Sequence, residues 1–514
     1  MIDLDCDGYG VGSPNGPDAD DSDPAVNDAG SMLAKYRSVR EYLTSVKKYN
    51  PHNLIFIAND GSDHGCAANN EAKPCASFNK AIGMAGPGDA VIWRGGTYLY
   101  SKVLEMKGGR SPAAPSIYMN YPGEKVTLEW NVNSDGFALD GRSNWIIDGL
   151  ILKSTAQAGA ALHGIQPGPV SNMIVRQVET IGWYDGLYLQ NGLNKLTIEN
   201  SSIHDSRGEH NAYLGCSTQI CPDLVICGSL FYHTSGGHNI HINGRFPNAR
   251  IESNLLYGNA GDCLGLQMGV SGSTIQNNVC FTVVSAAIWL IDYFQNTNPS
   301  IQCYDQNNNV IRYNTFIADG RSYSAIAGGN DGSEPVYRVT DQCAQNRGSH
   351  DLGHNTFEGN IFVHWCSSSA VCPSGSGPVL MYDGPASVDW LKSDTWKNNV
   401  LFNIGSPAAI AQVNGALHDW KWFTDGKSVP LAAGNVNVDP KFTAADPAWS
   451  KSGASWNLVP MDGSPAIGLI RRGSGVPLDI RGQPRNDPTT AGAYESAKRL
   501  GLISPKPQSS RPVE

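Results

Sequence analysis

The sequence predicts an all-β solenoid of stacked strands, and three observations carry that prediction. Between Trp183 and Phe294 a hydrophobic pattern repeats at near-constant spacing. Glycine is abundant, 57 of 514 residues, and only 16% of residues are charged, which suits short strands and tight turns better than long amphipathic helices. A chain this long would ordinarily divide into several domains, but a solenoid lengthens by adding coils without thickening its core.

The repeat aligns without gaps. Its rungs read DGLYLQN from Asp185, HNAYLGC from His210, HNIHING from His238, DCLGLQM from Asp262 and AAIWLID from Ala286. The third and fifth places are apolar in every row (Leu187 and Leu189, Ala212 and Leu214, Ile240 and Ile242, Leu264 and Leu266, Ile288 and Leu290). Strand alternation turns those places inward and the places between them outward. The outward columns then read Tyr188, Tyr213, His241, Gly265, Trp289 and Gln190, Gly215, Asn243, Gln267, Ile291.

Taken from the N-terminus, residues 1–28 form an acidic loop in which Asp3, Asp5, Asp7, Asp18, Asp20, Asp21 and Asp23 recur around Gly8 and Gly16. Alternate carboxylates in a Gly-bent loop supply the hard oxygen ligands that calcium prefers. The stretch DLDCDGYGVGSPNGPDADDSD resembles thrombospondin type 3 calcium repeats, which implies a structural calcium ion. Nothing in the sequence indicates a catalytic one. Over 29–52 the apolar places Leu33, Tyr36, Val39, Leu43 and Val46 recur at three and four, one helical stripe.

The body spans 53–434. It opens LIFIANDGSDHG and continues PCASFNKAIGMAGPGDAVIWRGGTYLY: a strand, a turn, a short helix, then two further strands. This order resembles the first coil of secreted right-handed parallel β-helix proteins, the pectate-lyase-like superfamily, and the resemblance implies that fold and a carbohydrate substrate. Asn254, Asn278, Asn314, Asn360 and Asn399 each follow an apolar residue by three, and stacked asparagines can bond along the axis as an architectural ladder. Segments 294–309 and 328–352 read as insertions folding out from the stack. Residues 435–503, with NVNVDPKF, SPAIG, DIRGQPR and GAYE, resemble the closing segment of such enzymes and are expected to cover an open end. Residues 504–514 read as a disordered tail.

A formal charge of -10 without any basic run argues against a nucleic-acid partner, and no stretch of about 18 apolar residues predicts a membrane span. A monomer is expected. Twelve cysteines are many for a reducing compartment. Pairing Cys66 with Cys75, Cys216 with Cys221, Cys303 with Cys343 and Cys366 with Cys372 would pin loops; Cys227, Cys263 and Cys280 fall on strands and read equally as small buried side chains. No signal peptide is visible, yet a secreted or periplasmic protein is expected.

Coils lie about 4.8 Å apart, so one column forms a row spaced for a chain-like sugar. The catalytic candidates are His241, Tyr213, His238, His210, Arg245, Asp185, Glu209 and Asp262. The substrate-binding candidates are Tyr188, Asn211, Asn239, Asn243, Gln190, Gln267, Trp289 and Arg207. By parity His210, His238, Asp185 and Asp262 share the inward places and could merely satisfy a corner, which favours Tyr188, Tyr213 and His241. The three imidazoles could ligate a metal, although no carboxylate partner is evident.

Two reactions suit this face. In β-elimination on a uronate glycan, His238 or His241 would take the proton α to the carboxyl, Arg245, Asn239 or Asn243 would offset charge, and Tyr213 or Tyr188 would protonate the leaving oxygen. In glycoside hydrolysis, Asp185 with Glu209, or Asp262, would flank the bond. The chain lacks the Asp quartet of calcium-dependent lyases and the DD pair with Gly-His and Arg-x-Lys of polygalacturonases. The strip is richer in His, Tyr, Asn and Arg than in paired carboxylates, so lyase chemistry leads, with hydrolysis and non-catalytic carbohydrate binding as alternatives.

Overall fold

The computed structural model describes residues 10–11, 13, 17–20, 22–139, 143–156, 162–166, 168–282, 285–292, 304–319, 336–341, 350–365, 377–384, 386–404, 409–444, 457–470 and 475–496. Two compact units result, Met1–Arg250 and Ile251–Glu514. Both are built from short parallel strands in three sheets, each coil supplying one strand to each sheet, as in a right-handed parallel β-helix.

In the first unit one sheet begins Leu54–Ile57, Ala90–Trp93 and Ser116–Asn120, and another runs Gly96–Tyr100, Val126–Trp130, Ile151–Ser154, Glu179–Ile181, Ser202–Ser206 and Leu230–Thr234. The third carries the candidate face: Leu104–Glu105, Phe137–Ala138, His163–Gln166, Asp185–Gln190, Ala212–Ile220 and Ile240–Arg245. Its register is the one read from the rungs, with Leu187 opposite Ala212 opposite Ile240 and Tyr188 opposite Tyr213 opposite His241. Leu187, Leu189, Leu214, Ile240 and Ile242 are fully buried, each burial worth about 1.5–3 kcal/mol.

The helical stripe is two helices, Ala29–Tyr36 and Val39–Ser45. Arg37 breaks it by adopting the left-handed region (φ 62°), and Ser38 caps the second helix by accepting the Glu41 N–H. Met32, Val39, Tyr42 and Leu43 pack on Phe56, Ile92, Ile117 and Met119, so the pair covers the outside of the first sheet. Tyr49 donates to Asp148 at 3.0 Å, and Lys47 pairs with the same carboxylate at 3.2 Å. Of the acidic loop, Asp3, Asp5, Asp7 and Asp21 lie outside the described residues. Asp18 and Asp20 are buried; Asp20 accepts from Ser22 and Tyr36, while Lys35 pairs with Asp23 at 2.5 Å and stands 4.0 Å from Asp20.

In the second unit the corresponding sheet contains Leu264–Gln267, Ile288–Asp292, Tyr337–Asp341, Leu380–Asp383 and Ala411–Val413. Tyr337–Asp341 corrects the expectation that 328–352 folds out: its Tyr337 and Val339 are buried apolar places in register with Ile288 and Leu290. The rest of that segment outside 336–341 and 350–352, and residues 294–303, lie outside the described residues. The asparagine ladder is present. Asn254, Asn278, Asn314 and Asn360 each donate backbone and side-chain N–H to the next carboxamide at 2.9–3.0 Å, and Asn399 continues it to Asn435.

The C-terminal segment differs from the expectation of a lid over the stack. Phe442, Leu458, Ala466, Ile470, Ala491 and Ala493 pack on Val279, Phe281, Ile317, Ile361, Val363 and Val400, outward apolar places of successive strands. The segment thus runs along a sheet face, because that face is apolar. Phe423 of the short helix Trp420–Phe423 instead meets the core residue Trp396.

Disulfides join Cys66 to Cys75 and Cys216 to Cys221, and a third joins Cys263 to Cys280. The last corrects the reading of these two as lone buried thiols: both face the interior, with Cα atoms 6.1 Å apart. Cys303, Cys343, Cys366 and Cys372 lie outside the described residues. Among the described residues no helix is long and apolar enough to cross a membrane.

Candidate functional site

The candidate face of the first unit carries two neighbouring columns. One comprises Tyr188, Tyr213 and His241, half-buried on adjacent coils. Tyr188 and Tyr213 lie 5.1 Å apart between ring centroids, and Tyr213 meets His241 edge-on at 5.0 Å and 89°. The Asn243 amide donates to the Tyr213 hydroxyl at 3.0 Å, and Gln190 donates to that of Tyr188. Burial, with Tyr188 nearby, pushes the Tyr213 phenol up to about 12, so it holds its proton at neutral pH.

The second column stands at the start of each rung. Its register runs from Asp135 through His163, Asp185 and His210 to His238, one residue per coil. Each bonds the next: Asp135 accepts the backbone N–H of His163 at 2.8 Å, Asp185 that of His210 at 2.6 Å, and His210 Nδ1 that of His238 at 3.0 Å. Inward parity therefore fails here, because the chain is turning a corner. The strands of the last two rungs begin only at Ala212 and Ile240, and the residues before them bring His210 and His238 against His241.

This column also contains what the rung alignment missed, Asp135 and His163. Asp135 Oδ1 lies 3.1 Å from His163 Nδ1, His163 Nε2 lies 3.6 Å from Asp185 Oδ2, and the His163 ring stacks on Tyr188 at 4.4 Å. The available signal was the recurring triplet Asp135-Gly136-Phe137, His163-Gly164-Ile165, Asp185-Gly186-Leu187. A Cβ at Gly136 would sit 2.4 Å from the Gly164 carbonyl, and one at Gly164 2.5 Å from that of Gly186, so only glycine lets these corners stack.

The two columns meet at three imidazoles. His210 stacks on His238 at 5.1 Å and 7°, and His241 stands across both, at 4.6 and 4.9 Å. One ring nitrogen of each lies within 4.8 Å of the others, a spacing that could suit a metal ion. His210 is buried, whereas His238 and His241 are half-exposed. Burial pushes the Asp185 carboxyl up to about 6, against the His210 N–H and His163. Glu209 is exposed, its carboxylate 3.7 Å from His210 Nε2.

Other candidates fall elsewhere. Asn211 and Asn239 are fully buried and bonded to one another at 2.8 Å, with Ser206 donating to Asn211; they take the corner place that glycine holds in earlier coils, which corrects their assignment to substrate. Arg207 is tied to the Ala156 carbonyl and the Ser154 hydroxyl, so its guanidinium braces a turn. Arg245 ends its strand, half-buried, opposite Ile220. In the second unit Asp262 is buried and accepts from Ser285, and Gln267 is buried, which removes both from an open face. Trp289 is half-exposed there, bonded to Thr340 and covered by Arg338 at 4.7 Å.

A family model described as "Right handed beta helix region" matches residues 117–293. Among solved structures, pectate lyase Pel9A superposes with a TM-score of 0.50 at 14% identity, over 87% of this chain and 97% of that one. The complex of XylC with xylose gives 0.44 at 10% identity over 86% and 98%, and the Agl-KA catalytic domain 0.43 at 13% over 71% and 68%. No curated protein sequence matches the chain. At such identities the likeness to Pel9A is one of fold, and it agrees with the sheets described above: the chain is a right-handed parallel β-helix.

Proposed function

We propose that this protein is a carbohydrate-active enzyme that cleaves a uronate-containing polysaccharide by β-elimination in the groove of its first unit. One observation carries the reading. The Tyr213 ring, its hydroxyl bonded by Asn243, meets the His241 imidazole edge-on, and His241 in turn meets His238, so a phenol proton and two imidazoles lie on adjacent coils of one face. β-Elimination needs that pair. A base removes the proton α to the carboxyl group, the C–O bond at the β carbon breaks as the C=C bond forms, and an acid protonates the departing oxygen. Tyr213, protonated at neutral pH, supplies the acid, and one imidazole of the pair supplies the base. The pectate lyase fold of Pel9A is consistent with this chemistry.

Hydrolysis is the second reading, favoured by a carboxyl pushed up to about 6 beside the exposed Glu209. Asp185, however, is only 1% exposed and already holds the His210 N–H, so it is badly placed to protonate a glycosidic oxygen. Incubation with a panel of polysaccharides separates the readings. Ultraviolet-absorbing unsaturated products mark a lyase, new reducing ends alone mark a hydrolase, and sugar binding without product marks a binding module.

The same proposal places the protein in an oxidising, secreted or periplasmic setting, supported by its disulfides. It also assigns a structural calcium ion to the acidic loop, where Asp18 and Asp20 are buried carboxylates with Lys35 as a nearby cation. A chelator that leaves the thermal midpoint unchanged would remove that ion from the account.

A further inference from the structure

We propose that His241 meets the substrate as a neutral hydrogen-bond donor through Nε2–H, and that buried His210 is the positioning residue that imposes this. The number of ring protons fixes both tautomers. The backbone N–H of His238 points at Nδ1 of His210 at 3.0 Å, and a backbone N–H can only donate, so that nitrogen is bare. A neutral imidazole carries one ring proton, which then lies on Nε2, 3.1 Å from Nδ1 of His241. Nδ1 of His241 must accept it. Its own proton is thereby placed on Nε2.

Running the bond the other way would require His210 to accept at both nitrogens, as an imidazolate. A second proton on His210 would point Nδ1–H at the His238 N–H. Burial, with His241 and His238 alongside, holds the His210 imidazole far below its ordinary range. The remaining ionisable groups that face it are Asp185, already bonded to its N–H, Glu209 at 3.7 Å and Tyr213 at 5.6 Å between ring centroids.

Two consequences follow for the groove. His241 cannot take a proton at Nδ1 while His210 donates there, so the base falls to His238 and His241 faces the substrate carboxylate, where negative charge grows as the proton leaves. His210 also has no nitrogen left to give a metal, so the three imidazoles do not form a three-ligand centre. Only the naming of a carboxylate as acceptor rests on the lyase reading.

Two-bond proton–nitrogen correlation spectra of histidine-labelled protein test this without any substrate, so a failed lyase assay and a failed proton assignment are separable. His210 and His241, identified by loss of their signals in His210→Phe and His241→Gln, should each show the neutral Nε2–H pattern at pH 7, with His210 unchanged down to pH 5. A proton on Nδ1 of either ring, or titration of His210 near pH 6.5, overturns the assignment. In His210→Phe, which keeps a ring against His238, His241 should sample both tautomers; retention of a pure Nε2–H pattern overturns the positioning role. Equimolar zinc should leave the His210 nitrogen shifts in place, and a coordination shift there refutes the exclusion of a metal.

Discussion

Replacing Asp185 by Asn should make the protein more stable at pH 8 and leave it unchanged near pH 4. Asp185 is 1% exposed, and burial raises its carboxyl from 3.8 to about 6. Between those values the folded chain binds more protons than the unfolded one, so stability falls as pH rises and is lowest above about pH 6. At about 1.4 kcal/mol per tenfold, the ionised carboxylate costs about 3 kcal/mol in the fold. An amide avoids that cost and retains the geometry. Its oxygen can still accept the His210 N–H, now 2.6 Å from Asp185 Oδ1. Its NH2 would face His163 Nε2, which now lies 3.6 Å from Asp185 Oδ2. The expected gain at pH 8 is about 1–3 kcal/mol after allowing for the weaker acceptor. Urea unfolding at pH 8 and pH 4, with unchanged denaturant slopes, measures it. Destabilisation at pH 8, or an equal effect at both pH values, refutes the claim that this carboxylate is held in the groove against its own solvation.

Tyr213→Phe keeps the ring packed on Tyr188 but removes the hydroxyl, so turnover should fall about 10²–10⁴-fold while the thermal midpoint moves little; near-normal turnover moves the acid elsewhere. Asn314→Ala deletes two accepted and three donated bonds and leaves the Asn278 N–H buried without its acceptor, so it should cost about 3 kcal/mol or more by denaturant midpoint. His204 lies between Asp205 at 2.7 Å and Glu179 at 3.0 Å; burial opposes its charge, yet the two carboxylates raise its affinity for the proton. That contribution is complete below about pH 6.5 and is lost as pH rises through the raised value, so His204→Gln should cost about 2 kcal/mol at pH 6 and clearly less at pH 9.

The repeats were legible because strand alternation is strict where side chains enter a core. Leu187, Ala212 and Ile240 are interchangeable apolar plugs, and aligning them fixed Tyr188, Tyr213 and His241 on one line. The asparagine ladder was legible for a related reason, since one carboxamide per coil must occupy the same turn to bond its neighbour. Corners obeyed neither rule. Asn211 has outward parity yet is buried, while Asp185 and His210 have inward parity yet meet groove residues, because the backbone bends before the strand begins. Asp135 and His163 escaped notice because their rungs are short, Phe137–Ala138 and His163–Gln166, leaving too few apolar places to align. The path of the C-terminal segment depends on Phe281, Ile317 and Val363, whose outward apolar character is visible only once three coils are stacked.

The central claim is β-elimination at Tyr213 and the imidazole pair. Absorbance near the unsaturated-uronate band, recorded for the wild-type protein and Tyr213→Phe on the same uronate polysaccharides, tests it most directly. The account predicts rising absorbance with the wild type and almost none with the variant. New reducing ends without that absorbance, or equal absorbance from both proteins, would contradict it.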